Sequence, residues 1–234
     1  MDTLLEFAKE PLFKFSFALM ILGLFRIVAL TLFGAGEALF RAGDRAIDYG
    51  QIVRDTFSWL LPVRRWADLR PVYSLISILF HIALISVPFF LAAHVSLWTR
   101  ATGLAWSAMP QVPADLLTVL VIFGGPALFF MRLFYRSARA ISRFQDYFWP
   151  LMLTVPALTG FLCANGDLSA GAYRSLMLIH VLCANAIMAF IPFTKLAHCV
   201  LMPLTYLVGG IGWKFRVGAG SLIERTLGKR GQST

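Results

Sequence analysis

The chain has 234 residues, 59% of them hydrophobic and only 14% charged, with a mean hydropathy of +0.74 and a formal net charge of +9. A soluble domain carries about a quarter charged residues and is far less apolar, so a water-soluble globular protein is excluded. The positive charges form no patch with interleaved aromatics, which argues against nucleic acid as a partner, and they follow membrane topology instead.

The N-terminal stretch MDTLLEFAKEPLFK mixes acids with lysines and offers neither a basic n-region nor a small-residue cleavage site, so no cleavable signal is expected. Apolar runs of about bilayer-spanning length follow at roughly 12–34, 72–98, 115–134, 147–164 and 172–203. They predict an all-α integral membrane protein: one domain over 1–234, built as a bundle of five transmembrane helices. Between the first two spans, 35–70 places Leu39, Phe40, Ile47, Val53 and Phe57 at helical intervals among charges. This pattern predicts an amphipathic helical segment lying on the membrane face, in contact with lipid. Residues 220–234 read as a flexible, solvated tail.

Basic residues give the expected orientation. Fifteen lie in 35–70, in the connection between the third and fourth spans and in the C-terminal tail; the opposite side has Lys9, Lys14, Arg100 and Arg174. The positive-inside rule then places the N-terminus outside and the C-terminus in the cytoplasm of a bacterial or archaeal inner membrane. Cys163, Cys183 and Cys199 form no CxxC or CxxCH and read as small buried hydrophobes, not as ligands of a cluster or attachment sites of a c-type haem.

All four histidines, His81, His94, His180 and His198, fall inside apolar spans, two on the second and two on the fifth. Ionisable groups at membrane depth are functional candidates by default. Facing helices can each supply one axial imidazole to a haem iron, and two stacked pairs would hold two b-type haems. Antiparallel neighbours would pair His94 with His180 near the outer face and His81 with His198 near the inner face. Eighteen residues at 100° each make five whole turns, which puts His180 and His198 on one face of a continuous helix. Thirteen residues leave His81 and His94 offset by about 220°, so Pro88 must kink or rewind the second span if both are to serve. Zinc needs converging ligands, which histidines about 20 Å apart along a helix do not provide.

The fifth span resembles that of the γ subunit of respiratory nitrate reductases, a five-span dihaem cytochrome b. Its pattern of a histidine, an apolar stretch and a Phe-Pro-Phe block leading to a second histidine is similar to His180 followed by FIPFTKLAH, with the same spacing and proline position. FHIALISVPFFLAAH resembles the second span, and related cytochrome b subunits occur in heterodisulfide-reductase-like complexes. The resemblance implies that His81 and His198 bind an inner haem, that His94 and His180 bind an outer one, and that menaquinone or ubiquinone reacts near the outer haem. It also implies electron exchange between the quinone pool and an iron–sulfur or other redox subunit on the cytoplasmic side.

Several further residues are candidates. Arg26, and Lys195 where the nitrate reductase subunit has arginine, are expected either to pair with haem propionates or to snorkel to headgroups. Asp115, Arg100 and Gln111 are quinone-site candidates in the outer loop, although Asp115 also suits a helix cap. Trp98 and Trp106 read as interfacial belt residues and Asn185 as an interhelical hydrogen-bond former. Gly124, Gly125 and Pro126 are expected to break the third span, either allowing close packing against a haem or simply bending the helix. Two other readings remain: a proton channel or transporter that relays through the histidines, and a haem-free membrane anchor of a larger complex.

Overall fold

A computed structural model of the chain describes residues 2–42, 49–60 and 71–212, together with Gly228. All secondary structure among these residues is helical apart from one isolated bridge between Leu91 and Met109. Five helical stretches are long and apolar enough to cross a membrane: Asp2–Glu37, Pro71–Phe90, Gln111–Phe134, Phe144–Asn165 and Ala170–Phe193. Large apolar side chains on their outer faces are exposed; Phe123 on the third stretch, for example, is 70% exposed. In water such faces would drive association, whereas in a bilayer they are the lipid-facing surface. The protein is therefore a multi-pass all-α membrane protein.

The chain divides into two compact units, each described by itself: Met1–Ile21 with Val63–Leu196, and Leu22–Pro62 with Ala197–Thr234. The first unit contains α1 (Asp2–Lys9), the start of α2 (Pro11–Ala42), α4 (Pro71–Phe90), α5 (Ala92–Thr102), α6 (Gln111–Phe134), α7 (Arg136–Ile141), α8 (Phe144–Asn165) and α9 (Ala170–Phe190). Here α6 packs between α4 and α8, α9 packs on α8, and α1 lies along α9. Phe80, Ala83, Val121, Leu128, Trp149, Leu153 and Ile187 form the shared core.

Glycines allow this close packing, since helix association in lipid depends on small residues that let backbones approach. A side chain at Gly125 would lie 2.5 Å from the Pro150 carbonyl oxygen on α8, and one at Gly124 3.1 Å from the Phe80 ring on α4. The expected break at Gly124, Gly125 and Pro126 is absent, because α6 runs unbroken through all three. Interhelical contact fixes them there.

Two other spans are broken instead. The second stops at Phe90, has an extended Leu91 (φ −65°, ψ 133°), and restarts as α5. The fifth stops at Phe190 and passes through 3₁₀ turns at Ile191–Phe193 and Lys195–Ala197, separated by an extended Thr194 (φ −130°, ψ 178°). Helix resumes as α10 (His198–Gly212). Pro192 cannot donate a backbone hydrogen bond, and it occupies the early 3₁₀ position that tolerates this loss. The five-turn count from His180 to His198 therefore fails, because no continuous helix carries both.

The second unit holds the rest of α2, α3 (Tyr49–Leu60) and α10, with α3 packed on α10. On α3, Ile52 and Thr56 are buried one turn apart while Val53 and Phe57 are exposed, the two-faced pattern expected for 35–70. Helix α2 also extends eight residues beyond the expected end of the first span, to Ala42. Ile47, the arginines at 64, 65 and 70, and the tail 220–234, apart from Gly228, lie outside the described residues.

Candidate functional site

Both histidine-bearing spans meet in the first unit at one place. The rings of His94, on α5, and His180, on α9, lie beside each other with centroids 6.0 Å apart and planes only 6° from parallel. His94 Nδ1 donates to the Val87 carbonyl at 3.1 Å, and His180 Nδ1 donates to the Pro156 carbonyl at 2.8 Å. A carbonyl can only accept, so both protons are assigned to Nδ1 and each Nε2 carries a lone pair. Anchoring of Nδ1 by a backbone carbonyl is the arrangement that orients a metal-ligating histidine. Gly160 of α8 seats the His180 ring: a side chain there would lie 2.9 Å from Cε1 and 3.0 Å from Nδ1.

This spacing can be tested against a metal. Two metal–imidazole bonds of about 2 Å, plus roughly 1 Å from each ring centre to its nitrogen, let two imidazoles share one metal with ring centres up to about 6 Å apart. The observed 6.0 Å separation is within that reach, so His94 and His180 could together hold one metal. Among the described residues no group of three or more His, Cys, Asp or Glu side chains converges, so the candidate centre is this pair.

The break at Leu91 is what turns His94 towards His180. In a continuous helix His94 would point about 220° away from His81. Instead α5 leaves at a new angle; Val87 keeps its helical partner, and the last three carbonyls of α4 find partners other than the next helical turn. Val87 accepts from the Leu91 amide and His94 Nδ1. Pro88 accepts from Trp98 Nε1 at 2.9 Å, Phe89 from Trp106 Nε1 at 2.7 Å, and Phe90 from the Met109 amide at 2.8 Å. Unsatisfied backbone groups at membrane depth are costly, so these donors make the break tolerable. The Trp98 ring also packs on Phe13, Phe17 and Phe89. Both tryptophans thus do more than the belt role expected of them.

His81 lies on α4 with Nδ1 bonded to the Ser77 carbonyl at 2.6 Å. His198 begins α10 in the second unit and is exposed. Arg26 also belongs to the second unit and is exposed on α2.

Lys195 meets an anion supplied by the protein. Its Nζ binds Asp146 Oδ2, and Arg132 Nη1 lies 3.6 Å from Asp146 Oδ1. Arg132 Nη2 donates to the Tyr73 hydroxyl at 3.1 Å, and the Lys195 amide donates to Gln145 Oε1 at 2.9 Å. This cluster joins α4, α6, α8 and the second 3₁₀ turn at one end of the unit. It gives Lys195 a carboxylate partner within the protein. Asp146 is the residue the sequence reading missed; a lone carboxylate at a span end, among arginines, was its available signal.

At the opposite end, Asp115 Oδ1 accepts from Gln111 Nε2 at 2.8 Å and from Asn165 Nδ2 at 3.1 Å. It ties α6 to α8; no side chain caps α6. Arg100 Nε lies 3.9 Å from Glu10 Oε1, so it faces the N-terminal helices. Asn185 does form an interhelical bond, from Nδ2 to the Ala8 carbonyl at 2.8 Å.

Fold and site together define a multi-pass helical membrane protein in which His94, just beyond the second apolar stretch, lies beside His180 of the fifth. The chain is 30% identical over 177 residues to a protein of Nitratidesulfovibrio vulgaris (strain Hildenborough), described simply as a protein, with 75% of this chain and 76% of that one covered. The chain belongs to the same family as that protein. No family model and no solved structure matches it.

Proposed function

We propose that the chain is a dihaem cytochrome b subunit of a respiratory membrane complex, passing electrons between the quinone pool and an iron–sulfur partner on the cytoplasmic side. The observation that carries this reading is the His94–His180 pair, with parallel rings at 6.0 Å and both Nδ1 atoms tied to carbonyls. A b-type haem held there would supply one-electron chemistry at membrane depth. His94 and His180 would hold it, and Gly160 would keep the His180 ring in place. His81 and His198 are the proposed ligands of a second haem.

Gln111 and Asp115 lie at the end of the first unit from which α6 starts, the same end at which α9 begins ten residues before His180. There Asp115 would accept a proton from a bound quinol, with Gln111 and Asn165 fixing the orientation of its carboxylate. The excess of basic residues in 35–70, 132–143 and the tail supports a cytoplasmic C-terminus and a cytoplasmic docking face. The purified protein is expected to show a reduced b-type α-band with about two haems per chain by pyridine haemochrome. Protein purified from haem-replete cells with no haem at all would overturn the proposal; ion flux in liposomes would then separate a proton pathway from a plain anchor.

A further inference from the structure

We infer that Trp98 and Trp106 are positioning residues: their indole N–H groups hold the broken second span in the one arrangement that presents His94 to His180. This deepens the functional reading above and rests on it where haem is concerned.

The inference starts from the helix end. Three carbonyls, on Pro88, Phe89 and Phe90, lose their usual partners when Leu91 turns extended, while Val87 keeps the Leu91 amide and also accepts from His94 Nδ1. In an unbroken helix, Pro88 and Phe89 would accept from the amides at 92 and 93, and Phe90 from the amide of His94 itself. The replacement donors come from well down the chain. Trp98 reaches back ten residues to Pro88, and Trp106 reaches back seventeen to Phe89. A straight continuation would hold residue 98 about 15 Å from residue 88 along the axis, so the Trp98 bond requires α5 to be folded back. Trp106 lies beyond the left-handed Gly103 (φ 78°), which ends α5 and lets the chain return so that Met109 closes on Phe90.

His94 is the fourth member of this set, through Nδ1 on Val87. The bond that orients its ring therefore belongs to the same row of carbonyls that the two indoles occupy. Loss of an indole donor removes what holds the break open and favours helix repair, which restores the carbonyl's usual amide. Repair would carry His94 round to the angle it has in a continuous helix, away from His180. Pro88 alone does not explain the geometry, since Pro126, Pro150 and Pro156 sit within α6 and α8 without breaking them.

The test compares Trp106→Phe and Trp98→Phe with Trp149→Phe in the full-length protein. Phenylalanine keeps an aromatic ring and removes the N–H; Trp149 Nε1 is a buried donor with no partner among the described residues, so its variant controls for ring size. Hydrogen exchange across 91–102 reads the strap without reference to haem. The midpoint potential and low-spin electron paramagnetic resonance signal of each haem read His94. Expected in the Trp106 and Trp98 variants are exchange about fivefold faster or more across α5 and a shift or loss of one haem's signal, with the other unchanged. Unchanged exchange in both variants overturns the strap. Faster exchange with both haem signals intact overturns the link to His94. If wild-type protein binds no haem, the functional reading fails, and the exchange result alone then decides the strap.

Discussion

The second and fifth spans make opposite use of a break. In the second, thirteen residues place His81 and His94 on different helix faces, and interruption at Leu91 turns His94 against His180. In the fifth, eighteen residues would place His180 and His198 on one face, yet helix stops at Phe190 and two 3₁₀ turns intervene. The unfavourable spacing is thus rescued and the favourable one does not apply. Angular counting along a span holds only while the backbone remains helical. The two breaks also differ in how they are secured. Side-chain donors from downstream secure the first, whereas ion pairing of Lys195 with Asp146 secures the second.

Several substitutions would break or sharpen that contrast. The largest effect is expected at Gly160. Gly160→Val would drive a side chain into the His180 ring, so the His94–His180 haem should be lost while the second haem remains. Haem content and the optical spectrum check this. Retention of both haems in that variant would show that the ring does not rest on Gly160. Gly125→Val should destabilise the α6–α8 contact by about 3 kcal/mol through overpacking, read as unfolding in graded denaturing detergent.

Asp146→Ala strikes the other break, removing the shared anion of Arg132 and Lys195. The carboxylate is largely buried and Lys195 is half-exposed, so a loss of about 2 kcal/mol is expected in the same assay. Lys195→Met should cost less than Asp146→Ala, because Arg132 still faces the carboxylate. The smallest effect belongs to Trp149→Phe. Loss of a buried N–H with no partner among the described residues offsets the smaller ring, so stability should stay within about 1 kcal/mol of wild type.

How much of this was legible beforehand differs by feature. Hydropathy alone gave five spans, because a run of about twenty apolar residues has few other fates. The meeting of His94 and His180 followed from antiparallel order, which needs no side-chain detail. Pro88 marked where the second span must kink, three residues before the break, but proline alone does not place a break: Pro126, Pro150 and Pro156 lie within continuous helices, while Pro88 and Pro192 lie near interruptions. What separates them is whether replacement donors exist nearby, and Trp106 is seventeen residues from the carbonyl it serves. Gly124 and Gly125 likewise looked like breakers because their role depends on Phe80 and Pro150, residues of other helices.

The central claim is that His94 and His180 serve a single centre. Haem content and redox titration of His94→Ala, His180→Ala and the double variant test it most directly. Each single variant should lose the same haem component, and the double variant should lose no more than either. Loss of different components, or additive loss in the double variant, would contradict the account.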